Sequence, residues 1–300
     1  MKTFDLESPP PGFAQEAHDG WLEDVTVHPS AGEVWMLSWD GAVVGLALIT
    51  SVLDDYIRAM PITVGTEFAT AGEAILPGAY LGEDATIWFR AETGLGKFLL
   101  HRRLHSALNL DQIHQLRRAA YAGEAAPFEV GSTAAEISRS HLIETINAFA
   151  ALCHLEWPSA GPDEGVLNVG LLTERSITAK DVARAAELSV PEALAVWRRD
   201  WAVSQPVARK LCRAFGIDEQ DLLVAAIDGF TMELSEPRVK SRVLHLSQAR
   251  CTSERDARNF TRRELSTSGR SDSITGRNYT LVEDTLDRLI AEANDASDAH

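Results

Sequence analysis

The 300-residue sequence predicts an α+β protein, a small curved β-rich half followed by an all-α half. Three observations predict it. The pattern turns β-like over Glu33–Trp39 and an Asp40-Gly41 turn follows, the signature of a β-hairpin. Four helix-start signals succeed one another at Thr178, Ser189, Ser204 and Asp218, each ahead of a short apolar-periodic run. Charge divides at the same place. Residues 1–170 hold 9 basic and 23 acidic groups, residues 171–268 hold 16 and 14, and residues 269–300 hold 3 and 7, within a net charge of −16. Any contact with a polyanion therefore belongs to the C-terminal half.

The length suggests two domains, and 45% hydrophobic with 24% charged residues is the composition of a globular protein. No apolar run approaches the ~18 residues of a membrane span. Cys153, Cys212 and Cys251 lie far apart without CxxC spacing. That fits reduced thiols in a cytosol rather than a disulfide framework or a zinc site. The acidic, Pro-rich N-terminus lacks a signal-peptide core, so a cytoplasmic location is expected. No cofactor is implied.

Residues 1–20 carry Pro9, Pro10 and Pro11 and read as a flexible arm. Residues 21–125 read as one β domain. Its strands are expected over Glu33–Trp39, Ala42–Leu53, Tyr56–Val64, Glu73–Gly78 and Ala85–Glu92. A closing helix, Leu110–Tyr121, carries Leu110, Ile113, Leu116 and Ala120 at helical spacing. Residues 126–157 read as a connecting helix started by a Thr133/Glu136 capping box. Its stripe of Ile137, Leu142, Ile146, Phe149, Ala150 and Cys153 suits dimerisation or docking. Residues 158–170 form the linker, centred on Pro158–Gly165. Residues 171–230 hold the helical bundle. Residues 231–300 hold further helices, with a Gly/Ser-rich mobile segment at 266–278.

Within the bundle, Thr178 caps a helix with Asp181 three places on and a run to about Glu187. Leu188 and Ser189 turn, and Ser189 with Glu192 forms a capping box, with Pro191 in the first turn. Ser204 starts a third helix closed by Gly216, and Asp218 a fourth. Val182, Ala183, Ala186, Leu188, Ala193, Val196, Val207, Leu211, Ala214, Phe215, Ile217 and Leu222 fall where such a bundle buries apolar groups. Ile177–Leu222 resembles the helix-turn-helix domains of the phage Cro/lambda-repressor (XRE) type. The resemblance implies binding to operator-like DNA as a homodimer, with the helix after Ser189 at the bases. Ser189, Glu192 and Ala195 would then face base edges, and Lys180, Arg198, Arg199, Arg209 and Lys210 would grip phosphates. The helix departs from the family in offering no Gln, Asn, Arg or Lys before Arg198. Arg250, Arg255, Arg258, Arg262 and Arg263, clustered further on, are candidates for secondary phosphate contacts or for a solvated face paired with Glu254, Asp256 and Glu264.

The stretch from Gly32 to Ala120 resembles the MazF/PemK-like toxin fold, an SH3-like barrel shared with the CcdB gyrase poisons. The features are an opening GEVW strand, Met60-Pro61-Ile62-Thr63, and GKFLLHRRL before a helix. The family's ribonucleases use a Thr, matched by Thr63, and an Arg in the loop after the first strand. Here that loop is Trp39-Asp40-Gly41-Ala42, without a cation, and Arg58 is the available substitute. Losing that charge removes the main stabilisation of a developing phosphorane.

Other constellations are weaker. His101 and His105 share a face if their segment is helical, yet Arg102 and Arg103 would repel a metal. Gly94-Leu95-Gly96-Lys97 lacks P-loop spacing. Cys153-His154 has no acid beside it. The sequence therefore predicts a DNA-binding regulator of toxin–antitoxin or phage-related type, whose acidic N-terminal domain binds a signal or a protein partner. The rivals are a MazF-like endoribonuclease using Thr63 and Arg58, and a non-catalytic module whose helix-turn-helix contacts a protein.

Overall fold

The computed structural model describes residues 4–298, apart from 55, 68, 70–72, 129–130, 132–134, 156, 158–163, 200–202, 226–228 and 269–278. Two compact units emerge. One joins Met1–Leu155 to Met232–His300, and the other is Glu156–Thr231. The second unit is thus an insertion within the first.

The first unit begins with helix α1 (Gln15–Leu22). Strands β1 (Glu33–Trp39) and β2 (Ala42–Val52) form the expected hairpin. Asp40 and Gly41 have φ of 48° and 76°, the left-handed conformation of a type I′ turn, which matches the twist of the flanking strands. Strand β3 (Tyr56–Val64) continues the meander. After β4 (Ala74–Leu76), a one-turn helix α2 (Gly78–Leu81) leads to β5 (Ala85–Ile87). The second half of β3 pairs with β5, and its first half with β6 (Thr93–Gly96). β7 (Leu100–Ser106) returns beside β1. Helix α3 (Leu110–Ala122) follows from a full Asn109/Gln112 capping box, and α4 (Ala135–Cys153) packs against β6.

All these pairings are antiparallel, and the order is β4-β5-β3-β2-β1-β7. The expected SH3-like barrel is therefore not formed. β4 and β7 stand at opposite ends of the order, and no pairing among the described residues joins them. The physical reason is that β7 packs against α1 rather than a closing strand. Trp21 on α1 is fully buried, and its indole N–H donates to the Asp5 and Leu6 carbonyls at 3.2 and 2.9 Å. Phe4 and Phe13 meet its ring edge-on. The flexible arm expected over residues 1–20 is thus fastened in part, through one large aromatic residue and Ala17 four places before it, both buried. Likewise, the segment holding His101 and His105 is strand rather than helix. His101 is buried, 2.9 Å from the Ser38 hydroxyl. Burial lowers its pKa to about 2, with Arg102, Lys240 and Arg258 adding to the effect.

The second unit opens with β8 (Glu164–Leu167) and helices α5 (Val169–Glu174), α6 (Ala179–Ala186) and α7 (Val190–Trp197). Strand β9 (Val203–Ser204), helices α8 (Gln205–Phe215) and α9 (Glu219–Leu222), and β10 (Leu223–Ala225) complete it. The bundle is not all-α, because β8 pairs with both β9 and β10. Val166 lies opposite Val224, so the chain enters and leaves this unit on adjacent strands. Close-set ends are what an insertion requires. The Thr133/Glu136 cap and most of the Pro158–Gly165 linker lie outside the described residues or side chains.

The chain returns through α10 (Gly229–Ser235), α11 (Lys240–Ala249), α12 (Glu254–Ser268) and α13 (Tyr279–Asp298). The last three pack on one another, and α11 also packs against β7. α12 starts at Ser253, whose hydroxyl accepts from the Asp256 N–H at 3.1 Å. It runs to Ser268, and residues 269–278 of the segment expected to be mobile lie outside the described residues.

A buried ionic cluster fastens these helices to the sheet. The Lys240 ammonium donates to the Ser38 and Phe98 carbonyls, each at 2.9 Å, and to Glu254 Oε1 at 2.6 Å. Arg258 donates to the same carboxylate oxygen at 2.8 Å and to the Leu234 carbonyl. The side chains of Lys240, Glu254 and Arg258 are wholly buried. Burial pushes Lys240 down to about 7, against the pull of Glu254. Burial also works against Glu254's charge, but Arg258 and Lys240 outweigh it and hold the carboxyl below its ordinary value.

Candidate nucleic-acid interface

The second unit builds its helices from local capping. Thr178 accepts from the Asp181 N–H, while Asp181 Oδ2 accepts from the Thr178 N–H at 3.0 Å. Glu187, at φ 58°, closes α6 in the left-handed conformation, and the Leu188 N–H bonds to Ala183 O at 2.9 Å. Ser189 then opens α7 with a second complete box, in which Glu192 Oε2 accepts from the Ser189 N–H at 2.8 Å. α6, this turn and α7 make a helix-turn-helix. α8 and α9 begin at Ser204 and Asp218 without side-chain capping bonds. Gly216, at φ 62°, closes α8. Each complete box satisfies donors that would otherwise lack partners at a helix start.

One core holds the unit. Val182, Ala186, Val196, Leu211, Ile217 and Leu222 are buried there with Leu167, Leu172, Val203, Ala208 and Leu223. Ala193 is buried as expected, whereas Ala214 lies on the exposed side of α8.

The outward side of α7 follows from its burial pattern. Ala193 and Val196 face the core, while Val190 is 68% and Leu194 38% exposed. Pro191 and Arg198 are exposed and Ala195 is half-buried. Positions 190, 191, 194, 195 and 198 fall within about 140° of helix arc at ~100° per residue. This face is apolar until its last residue. Glu192 lies off it, half-buried and drawn back to the helix start. The hydrogen bond from Ser189 holds its carboxyl below the ordinary value.

Exposed cations lie in the same unit. Arg198 is the C-cap of α7, and Arg199 follows it at φ 65°. Both are exposed, as are Lys180, Arg209 and Lys210. Lys210 is paired with Glu187. Residues 170–226 hold eight basic and eight acidic groups, so the region is neutral within a strongly acidic chain.

The C-terminal arginines do not all reach the surface. Arg258 is fully buried on Glu254, and Arg262 is buried as well. Arg250 lies over the Phe260 ring at 3.9 Å, Arg255 is half-buried and Arg263 is exposed. A wholly buried guanidinium serves its carboxylate rather than a phosphate, which corrects the expectation for Arg258. Arg255, Arg258, Arg262 and Arg263 fall within about 140° of α12 at ~100° per residue, with Arg250 at the end of α11, so burial rather than spacing removes Arg258 and Arg262 from the surface.

Thr63 and Arg58 do not form one site either. Both lie on β3, five places apart, which puts them on opposite faces and about 16 Å apart at ~3.3 Å per residue. The Thr63 hydroxyl accepts from the Trp88 indole at 2.9 Å, and Arg58 pairs with Glu92 at 3.4 Å. In the turn after β1, where the sequence already lacks the family's cation, Asp40 Oδ1 accepts from the Glu254 N–H at 2.6 Å and caps α12. An acid bound to a helix start occupies the place of the toxin family's arginine. The open sheet and this turn leave the MazF/PemK-like reading without support.

Sequence reasoning missed the Lys240–Glu254–Arg258 cluster. The Glu254/Arg258 spacing was available as an i, i+4 pair, but nothing local pointed to Lys240 or to Ser38. Among the described residues, no helix is long and apolar enough to cross a membrane.

Comparison with known proteins agrees with this geometry. Residues 170–226 match the family model of a Cro/C1-type helix-turn-helix DNA-binding domain. No curated protein and no solved structure matches the chain.

Proposed function

We propose that the protein is a DNA-binding transcriptional regulator that docks α7 in the major groove. The observation that carries this reading is the match of residues 170–226 to a DNA-binding domain whose two motif helices are fully capped. Arg198 and Arg199 at the end of α7, with Lys180, Arg209 and Lys210, hold phosphates. Ser189, Val190, Leu194 and Ala195 lie towards the bases. Binding as a homodimer to paired half-sites suits a single short reading helix. An operator beside its own gene, as in toxin–antitoxin or phage-related regulators, is the natural target.

The test is binding of the whole protein to DNA flanking its gene across a salt series. Tight binding with a steep log–log slope is expected. The double substitution Arg198→Ala/Arg199→Ala should weaken it and flatten the slope by about 1 per arginine. No binding at low salt would overturn the proposal. One observation favours a second reading, contact with a protein: the apolar exposure of Val190 and Leu194. In that case a pull-down partner would be lost in a Leu194→Asp variant, and DNA would not compete.

A further inference from the structure

We infer that α7 reads pyrimidine C5-methyl groups in the major groove, so that its half-site is specified by methyls rather than by hydrogen bonds. This rests on the DNA-binding reading above. Most of the base-pair code consists of donors and acceptors, and one element of it, the thymine methyl, is apolar. The outward arc of α7 fits only that element until its last residue. Val190, Pro191, Leu194 and Ala195 carry no side-chain donor or acceptor. Val190, at 68% exposure, and Leu194, one turn further at 38%, form the ridge of the arc.

The polar groups near this arc have other tasks. The Ser189 hydroxyl accepts from the Glu192 N–H, and Glu192 Oε2 accepts from the Ser189 N–H at 2.8 Å. Both polar side chains at the front of the helix are therefore engaged in its own cap. Arg198 lies two turns from Val190, at the helix end, where a cation meets the backbone of the duplex. The surface is an apolar ridge with cations beyond it, in a region with equal numbers of basic and acidic groups. Phosphate contacts by the cations carry no sequence information, so base specificity has to come from the ridge. Methyl groups occupy the same position in thymine and in 5-methylcytosine, and the ridge suits either source.

The experiment uses the whole protein and random-sequence duplexes, selected through rounds of binding from three pools. One pool carries thymine, one uracil in its place, and one 5-methylcytosine in place of cytosine. The best duplex is then remade with each base replaced in turn. Removing one thymine methyl from the half-site, as uracil, should weaken binding by about fourfold, the effect of exposing one methyl-sized apolar group. Val190→Ser/Leu194→Ser should narrow the difference between the thymine and uracil duplexes. Enrichment from the 5-methylcytosine pool alone would assign the methyl to the modified base and support the same surface. Salt-dependent binding that ignores both methyls would overturn the inference and leave the regulator reading standing. No binding from any pool at low salt would overturn both readings.

Discussion

The two units of this protein are held together in opposite ways. In the inserted unit, the bonds that define its motif helices join residues three apart, Thr178 with Asp181 and Ser189 with Glu192. In the surrounding unit the decisive bonds span the chain. Lys240 reaches Ser38, Glu254 reaches Asp40, and Lys97 reaches Glu236. The first kind of contact forms as soon as a helix does, and each loss is small. The second exists only when distant segments have met, and it buries charges that become costly once a partner is missing.

Breaking the buried cluster should have the largest effect. Glu254→Ala leaves Lys240 and Arg258 buried without their carboxylate, and should destabilise the surrounding unit by about 3–5 kcal/mol. Denaturant unfolding gives the magnitude. Hydrogen exchange should show protection falling in β1 and α11 while α6 and α7 keep theirs.

Two glycines sharpen the contrast. Gly32 and Gly216 both have positive φ, 92° and 62°. A Cβ at Gly32 would sit 1.9 Å from the Leu108 carbonyl oxygen, whereas one at Gly216 meets nothing within 4 Å. Gly216→Ala should cost only the left-handed strain, about 1–2 kcal/mol. Gly32→Ala should cost several times more, because backbone must move. Equal losses would show that long-range packing adds nothing at this site.

The surrounding unit should also carry a pH dependence from burial. Glu73 is wholly buried, and that raises its pKa from 4.5 to about 7 against the pull of Arg90, 3.5 Å away. Its folded pKa exceeds the unfolded one, so its contribution is full below 4.5 and is lost as pH rises through about 7. Unfolding at about pH 5 and about pH 7.5 should show the wild type losing stability relative to Glu73→Gln as pH rises. A constant difference would contradict the assignment.

The smallest change is expected in the inserted unit. Ser189→Ala removes one side of the α7 capping box and should cost about 1 kcal/mol. Exchange at the first N–H groups of α7 should accelerate, with β1–β3 unchanged.

The legibility of the sequence follows the same division. β1 and β3 were bounded correctly by their apolar, β-branched and aromatic runs, and the hairpin by Asp40-Gly41, because composition and turn chemistry are local. The starts of α6 and α7 were legible for the same reason, as was the apolar outer face of α7. α1 was not, since only Trp21 and Ala17 mark it, and their burial depends on β7. β8 and β10 escaped because each is short and has no partner until the other arrives.

By itself, then, the sequence determined the α+β class, the hairpin and the capped helix-turn-helix, all written in contacts a few residues long. Tertiary structure alone decided that the sheet stays open, that Asp40 caps a helix 214 positions away, and that Arg258 lies in a core rather than on a phosphate-facing surface. The physical reason is that burial and pairing of charge depend on which distant segments meet, and an arginine's neighbours in sequence do not say whether water will reach it.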